Sequence, residues 1–306
     1  MPNDHGLARW SFVRGIVGDM KRLCLPVVLV LLTGLGASGV PEPADRPLPH
    51  THAHNDYEHP HPLFDALHQG FVGVEADVYL VGTELRVSHE RKKDWSAVPT
   101  LEDAYLRPLS ELKTRRKSGG IYPDGTRLML LIDIKTDAAP TYARVHEVLA
   151  SFESASPGLF TVYRDGAAKR GAVEVVITGN RPREAMKGQA VRYATYDGRM
   201  EDVGGGEPAG FISLVSDNWT NVFGNRSVWD GTGNVPPAVR EKLKSVVTDV
   251  HREGRTVRFW NVPKDGPETW GPLLEAGVDW INTDDLEGLA TFVKARGEGP
   301  AAGRSK

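Results

Sequence analysis

Leu128-Met129-Leu130-Leu131-Ile132 is a continuous apolar run, and runs of the same kind recur along most of the chain. A strand with one wet face alternates apolar and polar residues. A run apolar on both faces suits a parallel strand covered on both sides. Candidate strands are Pro49–Ala53, Val72–Tyr79, Leu128–Ile134, Val173–Thr178, Val191–Thr195, Phe211–Val215, Thr256–Trp260 and Trp280–Asn282. Helical patterns lie among them at Leu63–Gln69, Leu101–Leu112, Thr141–Ser151, Pro182–Lys187, Pro237–Glu253, Trp270–Ala276 and Leu286–Lys294. Eight strands with intervening helices in about 250 residues predict an α/β TIM (β/α)8 barrel rather than an open doubly wound sheet. No Gly-x-Gly-x-x-Gly follows a strand and no Walker loop occurs, so a nucleotide-binding sheet has no support. The barrel is expected over residues 49–298, between a linker at 40–48 and a flexible tail at 299–306.

Met20-Lys21-Arg22 precedes Leu23–Leu32, an apolar stretch shorter than the roughly 20 residues that span a bilayer. Ala37-Ser38-Gly39 then offers small residues to a peptidase. This layout predicts a signal peptide in residues 1–39, cleaved near Gly39, and a secreted or extracytoplasmic protein. A retained anchor is the alternative, and Met20 is an alternative start. The 37 Lys+Arg face 40 Asp+Glu, a net charge of -3, so no basic excess grips nucleic acid. The single cysteine, Cys24, allows neither an internal disulfide nor a cysteine zinc site.

Barrel chemistry gathers at the C-terminal ends of strands. His52, His54, Asn55 and Asp56 fall at the first such end, Glu75 and Asp77 at the second, Asp133 and Lys135 at the third. Residues two apart on a strand share a face, so Glu75 and Asp77 lie about 7 Å apart on one side. Two carboxylates so placed repel each other unless a cation lies between them. Asp133 adds a third carboxylate and Asn55 a neutral carbonyl, a set of oxygens suited to Ca2+ or Mg2+. His54 and His89 are the candidate acid and base, because imidazole exchanges protons near neutral pH. Lys135 shares a face with Asp133 and either contacts phosphate or pairs with that carboxylate. Trp260 is read as an apolar wall for the alcohol part of a substrate or as packing.

At these residues a family resemblance emerges. His54-Asn55-Asp56-Tyr57, Val74-Glu75-Ala76-Asp77-Val78, Val87-Ser88-His89-Glu90 and Leu131-Ile132-Asp133-Ile134-Lys135 resemble the phosphatidylinositol-specific phospholipase C and glycerophosphodiester phosphodiesterase superfamily. The tail from Val257 to Asp284 resembles the last strands of glycerophosphodiesterases. The overall string is most similar to the branch of altered-inheritance-of-mitochondria-like proteins. The resemblance implies a PLC-like TIM barrel, His54 and His89 as the catalytic pair, and a divalent cation on Asn55, Glu75, Asp77 and Asp133. It departs where Asn55 replaces the Arg that contacts phosphate in typical glycerophosphodiesterases, and where Asp133 replaces Glu.

The expected protein is an exported, metal-dependent phosphoric diester hydrolase acting on a glycerophospho- or phosphoinositide-like substrate. Its partners are a small phosphodiester or phospholipid headgroup, with transient contact to a membrane surface compatible and no nucleic acid. One rival is a zinc amidohydrolase built on His52-x-His54, which lacks further histidines at later strand ends. Another is a catalytically silent barrel that binds a phosphorylated ligand.

Overall fold

The apolar runs form eight parallel strands: β1 (Leu48–Ala53), β2 (Phe71–Val81), β3 (Leu128–Ile134), β4 (Val173–Gly179), β5 (Ala194–Gly198), β6 (Leu214–Asn218), β7 (Thr256–Trp260) and β8 (Ile281–Thr283). Each pairs with the next from β1 to β7, and β8 pairs with β1. A parallel bridge between Arg258 and Trp280 joins β7 to the start of β8 and completes the expected TIM barrel. The computed structural model describes residues 40–116 and 118–297. The expected signal segment at 1–39 and the tail at 299–306 lie outside the described residues. No described helix is long and apolar enough to cross a membrane.

Alternation along β3 explains its unbroken apolar run. Leu128, Leu130, Ile132 and Ile134 join the large core between strands and helices. Met129 and Leu131 point into the barrel, where they pack with Val176, Leu214 and Trp280 as a separate inner cluster. Asp133 is the next inward position on β3. The helices close the outer core with apolar stripes. In Pro237–Arg252 the buried residues are Val239, Leu243, Val247 and Val250, on one face, and a proline in the first turn starts the helix.

Two strand expectations are corrected. The run Val191–Thr195 divides: Val191–Arg192 pairs antiparallel with Val162–Arg164 in a small outer sheet, and the barrel strand is Ala194–Gly198. Arg192 anchors that break by donating to the carbonyls of Ala194 and Gly210 at 2.9 and 2.8 Å. The sixth strand runs from Leu214 to Asn218 rather than from Phe211 to Val215. Near the mouth the inward positions of these strands are polar, Asp197 and Ser216, and they bond to each other across the two strands. An apolar pattern therefore ends before the strand does. A further strand, Glu84–Val87, folds back antiparallel on β2 and carries the chain toward His89.

The inner cluster supports everything above it. Leu131→Ala should lower unfolding free energy by about 2–5 kcal/mol, since a closed ring of strands cannot collapse into the void. Urea unfolding of the variant, read as a shift in midpoint at unchanged slope, checks this.

Candidate active site

Asp77 and Asp133 are register partners on β2 and β3, and Thr178 of β4 is paired with Asp133. Glu75 lies one inward position below Asp77, level with Leu131. Glu75 thus sits at the upper edge of the inner apolar cluster and the two aspartates directly above it, where ionised groups need partners.

Arg258 of β7 supplies the deepest one. Its Nη2 donates to Glu75 Oε2 at 2.6 Å, and Nε and Nη2 donate to Asn282 Oδ1 at 2.8 and 2.5 Å. Burial pushes Glu75 up, but the Arg258 guanidinium, aided by His52 and His54, outweighs it and holds this carboxyl below the usual range. Burial, then Arg258, lower His52 to about 4, so its ring is neutral at pH 7. His52 Nε2 stands 3.5 Å from Glu75 Oε2, too far for a good hydrogen bond.

Asp77 Oδ2 is the hub of the upper level. Lys135 Nζ lies 3.0 Å away, the Tyr57 hydroxyl 2.7 Å and His89 Nδ1 3.1 Å. Lys135 also reaches Asp133 Oδ2 at 3.1 Å. The Tyr57 hydroxyl is 2.9 Å from Asn55 Oδ1 as well, and its single proton serves only one of these oxygens. Burial, reinforced by Asp77 and Glu75 and only partly offset by Lys135, raises Asp133 to about 6. Asp77 is also raised, by burial first and by Glu75. Asp133 packs tightly against Gly179, whose φ of +69° and lack of a side chain leave it room; a Cβ there would meet Asp133 Oδ1 at 2.0 Å.

The two histidines are oriented alike. His54 Nδ1 lies 2.8 Å from Asp284 Oδ1, so a proton on Nδ1 is bound to the carboxylate and Nε2 is left for another partner. Burial lowers His54, but the Asp284 hydrogen bond and the charge of Glu75 together raise it above its ordinary value. His89 faces Asp77 through Nδ1 in the same way.

His54, Asn55, Glu75, His89, Asp133, Lys135 and Trp260 line one cavity of about 450 Å3 at the mouth, with Asp77 buried beneath them. Every site residue expected from sequence is therefore brought together. The Lys135 ion pair with both aspartates is what forms. Tyr57, Arg199, Arg258 and Asp284 were not singled out. Arg258 was detectable, since a charged residue at an inward position of the apolar run Thr256–Trp260 calls for a partner just as Glu75 does. It and Arg199 also place guanidinium groups at the cavity, where Asn55 stands in place of the Arg of typical glycerophosphodiesterases. Asp197 accepts from Thr178, Ser216 and Arg199. His52 faces Glu75 and Trp280 rather than further histidines, which leaves the zinc reading without a ligand set among the described residues.

Glu75, Asp77 and Asp133 each offer an oxygen within 4.8 Å of the others. They outnumber the two cations that touch them, Arg258 and Lys135. Asp77 Oδ1 and Asp133 Oδ1 are buried without a hydrogen-bond partner. Bare anionic oxygens in a dry place are costly, so the donor set fits a hard divalent cation.

A family model described as an AIM6-like phosphodiesterase domain matches residues 46–197. The altered inheritance of mitochondria protein 6 of Eremothecium gossypii is 30% identical over 283 residues, covering 80% of this chain and 69% of that protein. The homolog from Arthroderma benhamiae is 28% identical, covering 78% and 82%. Among solved structures, a Galdieria sulphuraria protein described as a glycerophosphodiester phosphodiesterase is 15% identical with a TM-score of 0.49, covering 82% of this chain and 100% of that one. The expectation of a secreted protein is corrected here: the relatives are named for altered inheritance of mitochondria, not for secretion.

Replacing Arg258 leaves Glu75 as an unpaired buried charge. Arg258→Met should cost about 3–5 kcal/mol at pH 7. Adding Glu75→Gln should recover most of it. With Arg258 in place, Glu75 is held below 4.5, so its contribution is present above that pH and lost as pH falls through the lowered value. Without Arg258 the carboxyl is raised, and the deficit of the single variant should shrink on acidification. Urea unfolding in EDTA at pH 7 and pH 5 measures both effects.

Proposed function

The chain belongs to the altered inheritance of mitochondria protein 6 family, with its AIM6-like phosphodiesterase domain, and on that premise we propose a metal-dependent phosphodiesterase acting on a glycerophospho- or phosphoinositide-like diester. The observation that carries the reading is the pairing of an under-neutralised carboxylate cluster with two carboxylate-oriented histidines around one cavity.

Glu75, Asp77, Asp133 and Asn55 would hold the cation, Ca2+ or Mg2+. Such an ion stabilises negative charge on a phosphoryl oxygen. His54 acts as the general base. Asp284 holds its Nδ1 proton and raises its basicity, so Nε2 takes a proton from a substrate hydroxyl or from water. His89 acts as the general acid: Asp77 supports the ring through Nδ1, and Nε2 gives a proton to the leaving alkoxide. Where a free hydroxyl adjoins the diester, the first step yields a cyclic phosphate, and the histidines exchange roles in its hydrolysis. Arg258 stays fastened to Glu75 and Asn282 and keeps the lower carboxylate ionised. Lys135 and Arg199 offer donors to the phosphoryl group, and Trp260 walls the alcohol part.

Turnover of bis(p-nitrophenyl) phosphate should vanish in EDTA and return with Ca2+ or Mg2+. His54→Ala and His89→Ala should each lower turnover by about 10^2–10^4-fold. Both variants should bind the restoring metal as the parent does. Full turnover in either variant, or turnover indifferent to EDTA, would sink the proposal.

A further inference from the structure

We infer that Lys135 is a displaceable internal cation: it bridges Asp77 and Asp133 in the metal-free protein, yields its place to a divalent ion, and then meets the phosphoryl group of a bound diester. The inference rests on the metal-dependent reading above and adds to it a coupling between metal and substrate.

The geometry sets up a competition. Lys135 Nζ lies 3.0 Å from Asp77 Oδ2 and 3.1 Å from Asp133 Oδ2. Those are two of the three carboxylates whose oxygens come within 4.8 Å of one another. A divalent ion drawn to the same carboxylates repels an ammonium held between them, and this half-buried position screens that repulsion poorly. Charge balance points the same way. With Lys135 withdrawn, Arg258 and a divalent ion together match the three carboxylates. With Lys135 kept in place, the cluster carries a surplus positive charge. The other oxygens of both aspartates, Asp77 Oδ1 and Asp133 Oδ1, are buried and unpartnered, so Lys135 satisfies only half of each carboxylate.

Among the described residues two cations touch the cluster, and they differ in how firmly they are held. Arg258 is 3% exposed in its side chain and is bound through two nitrogens to Glu75 and Asn282. The Lys135 side chain is held by the two aspartates it would leave, while its backbone N–H donates to Val78 at 2.9 Å and keeps the residue in place. Its side chain is 25% exposed and lines the cavity shared by His54, His89 and Arg199. A four-carbon stem carries its charge across such a space without moving the strand. Once released, the ammonium presents three donors where phosphoryl oxygens need them.

The test is calorimetric titration of the full chain with Ca2+ and with Mg2+. Lys135→Met should bind the cation about tenfold tighter than the parent or better, because the competitor is gone. Its metal-loaded form should bind dimethyl phosphate about tenfold more weakly. Lys135→Arg, which keeps the charge, should bind metal no tighter than the parent. A misfolded variant can only lose metal affinity, so a gain is not a folding artefact. A crystal structure of the metal-loaded parent protein is the second measurement, and Nζ should have left the position between the two aspartates. Nζ still bonded to both would overturn the inference. So would a parent that binds metal together with a well-folded Lys135→Met that binds it no tighter. A parent that binds neither cation would instead overturn the metal-dependent reading, and this inference with it.

Discussion

One ion pair, Arg258 on Glu75, reaches across the barrel from β7 to β2 and joins residues 183 apart in the chain. It lies at the upper edge of the inner apolar cluster, where an isolated carboxylate would be neutral. The guanidinium keeps Glu75 ionised, and other features of the site follow from that charge. Glu75 helps to raise His54. It also helps to raise Asp77 and Asp133, so the upper carboxylates are under-neutralised even with Lys135 between them. The same guanidinium, after burial, keeps His52 neutral beneath the site. A buried pair of this kind is weak as a source of stability but strict in what it permits, since neither partner tolerates the loss of the other.

The upper level works by sharing. Asp77 Oδ2 stands within hydrogen-bond reach of Lys135, Tyr57 and His89, which gathers a residue past the hairpin, one of a 3-10 turn and one past β3 around one oxygen of β2. Four segments distant in sequence thereby hold a common geometry at the mouth. Asp284, just past β8, does the corresponding service for His54. Each histidine is therefore steered through Nδ1 by a carboxylate of another segment, which leaves Nε2 to other partners. On the far side, Asp197 is wholly buried and is saturated by Thr178, Ser216 and Arg199. It fixes the wall on which Arg199 stands.

Much of this was legible in the residues. The run at Leu128–Ile134 marked a strand covered on both sides, and the strand exists with those bounds. Glu75, Asp77 and Asp133 stood out because charge on an apolar strand needs a partner. Arg258 obeys the same rule, yet Glu75 and Arg258 are matched only by the closed ring. The ends of β5 and β6 were misread for a related reason: Asp197 and Ser216 look like loop residues in a linear pattern. Inside the barrel they are strand residues, because they bond to each other between neighbouring strands.

By itself the sequence determined the strand periodicity, the order of strands and helices, and the residue types placed at strand ends. These are local properties, set by side-chain alternation and by the cost of burying charge. Only the tertiary structure decided which charges meet. Closure of the barrel brought Arg258 to Glu75 and Asp284 to His54, and the β2–β3 register set Asp77 opposite Asp133. The physical reason is that electrostatic partners are chosen by distance in space, and a closed ring of parallel strands places residues from opposite ends of the chain within a hydrogen bond of each other.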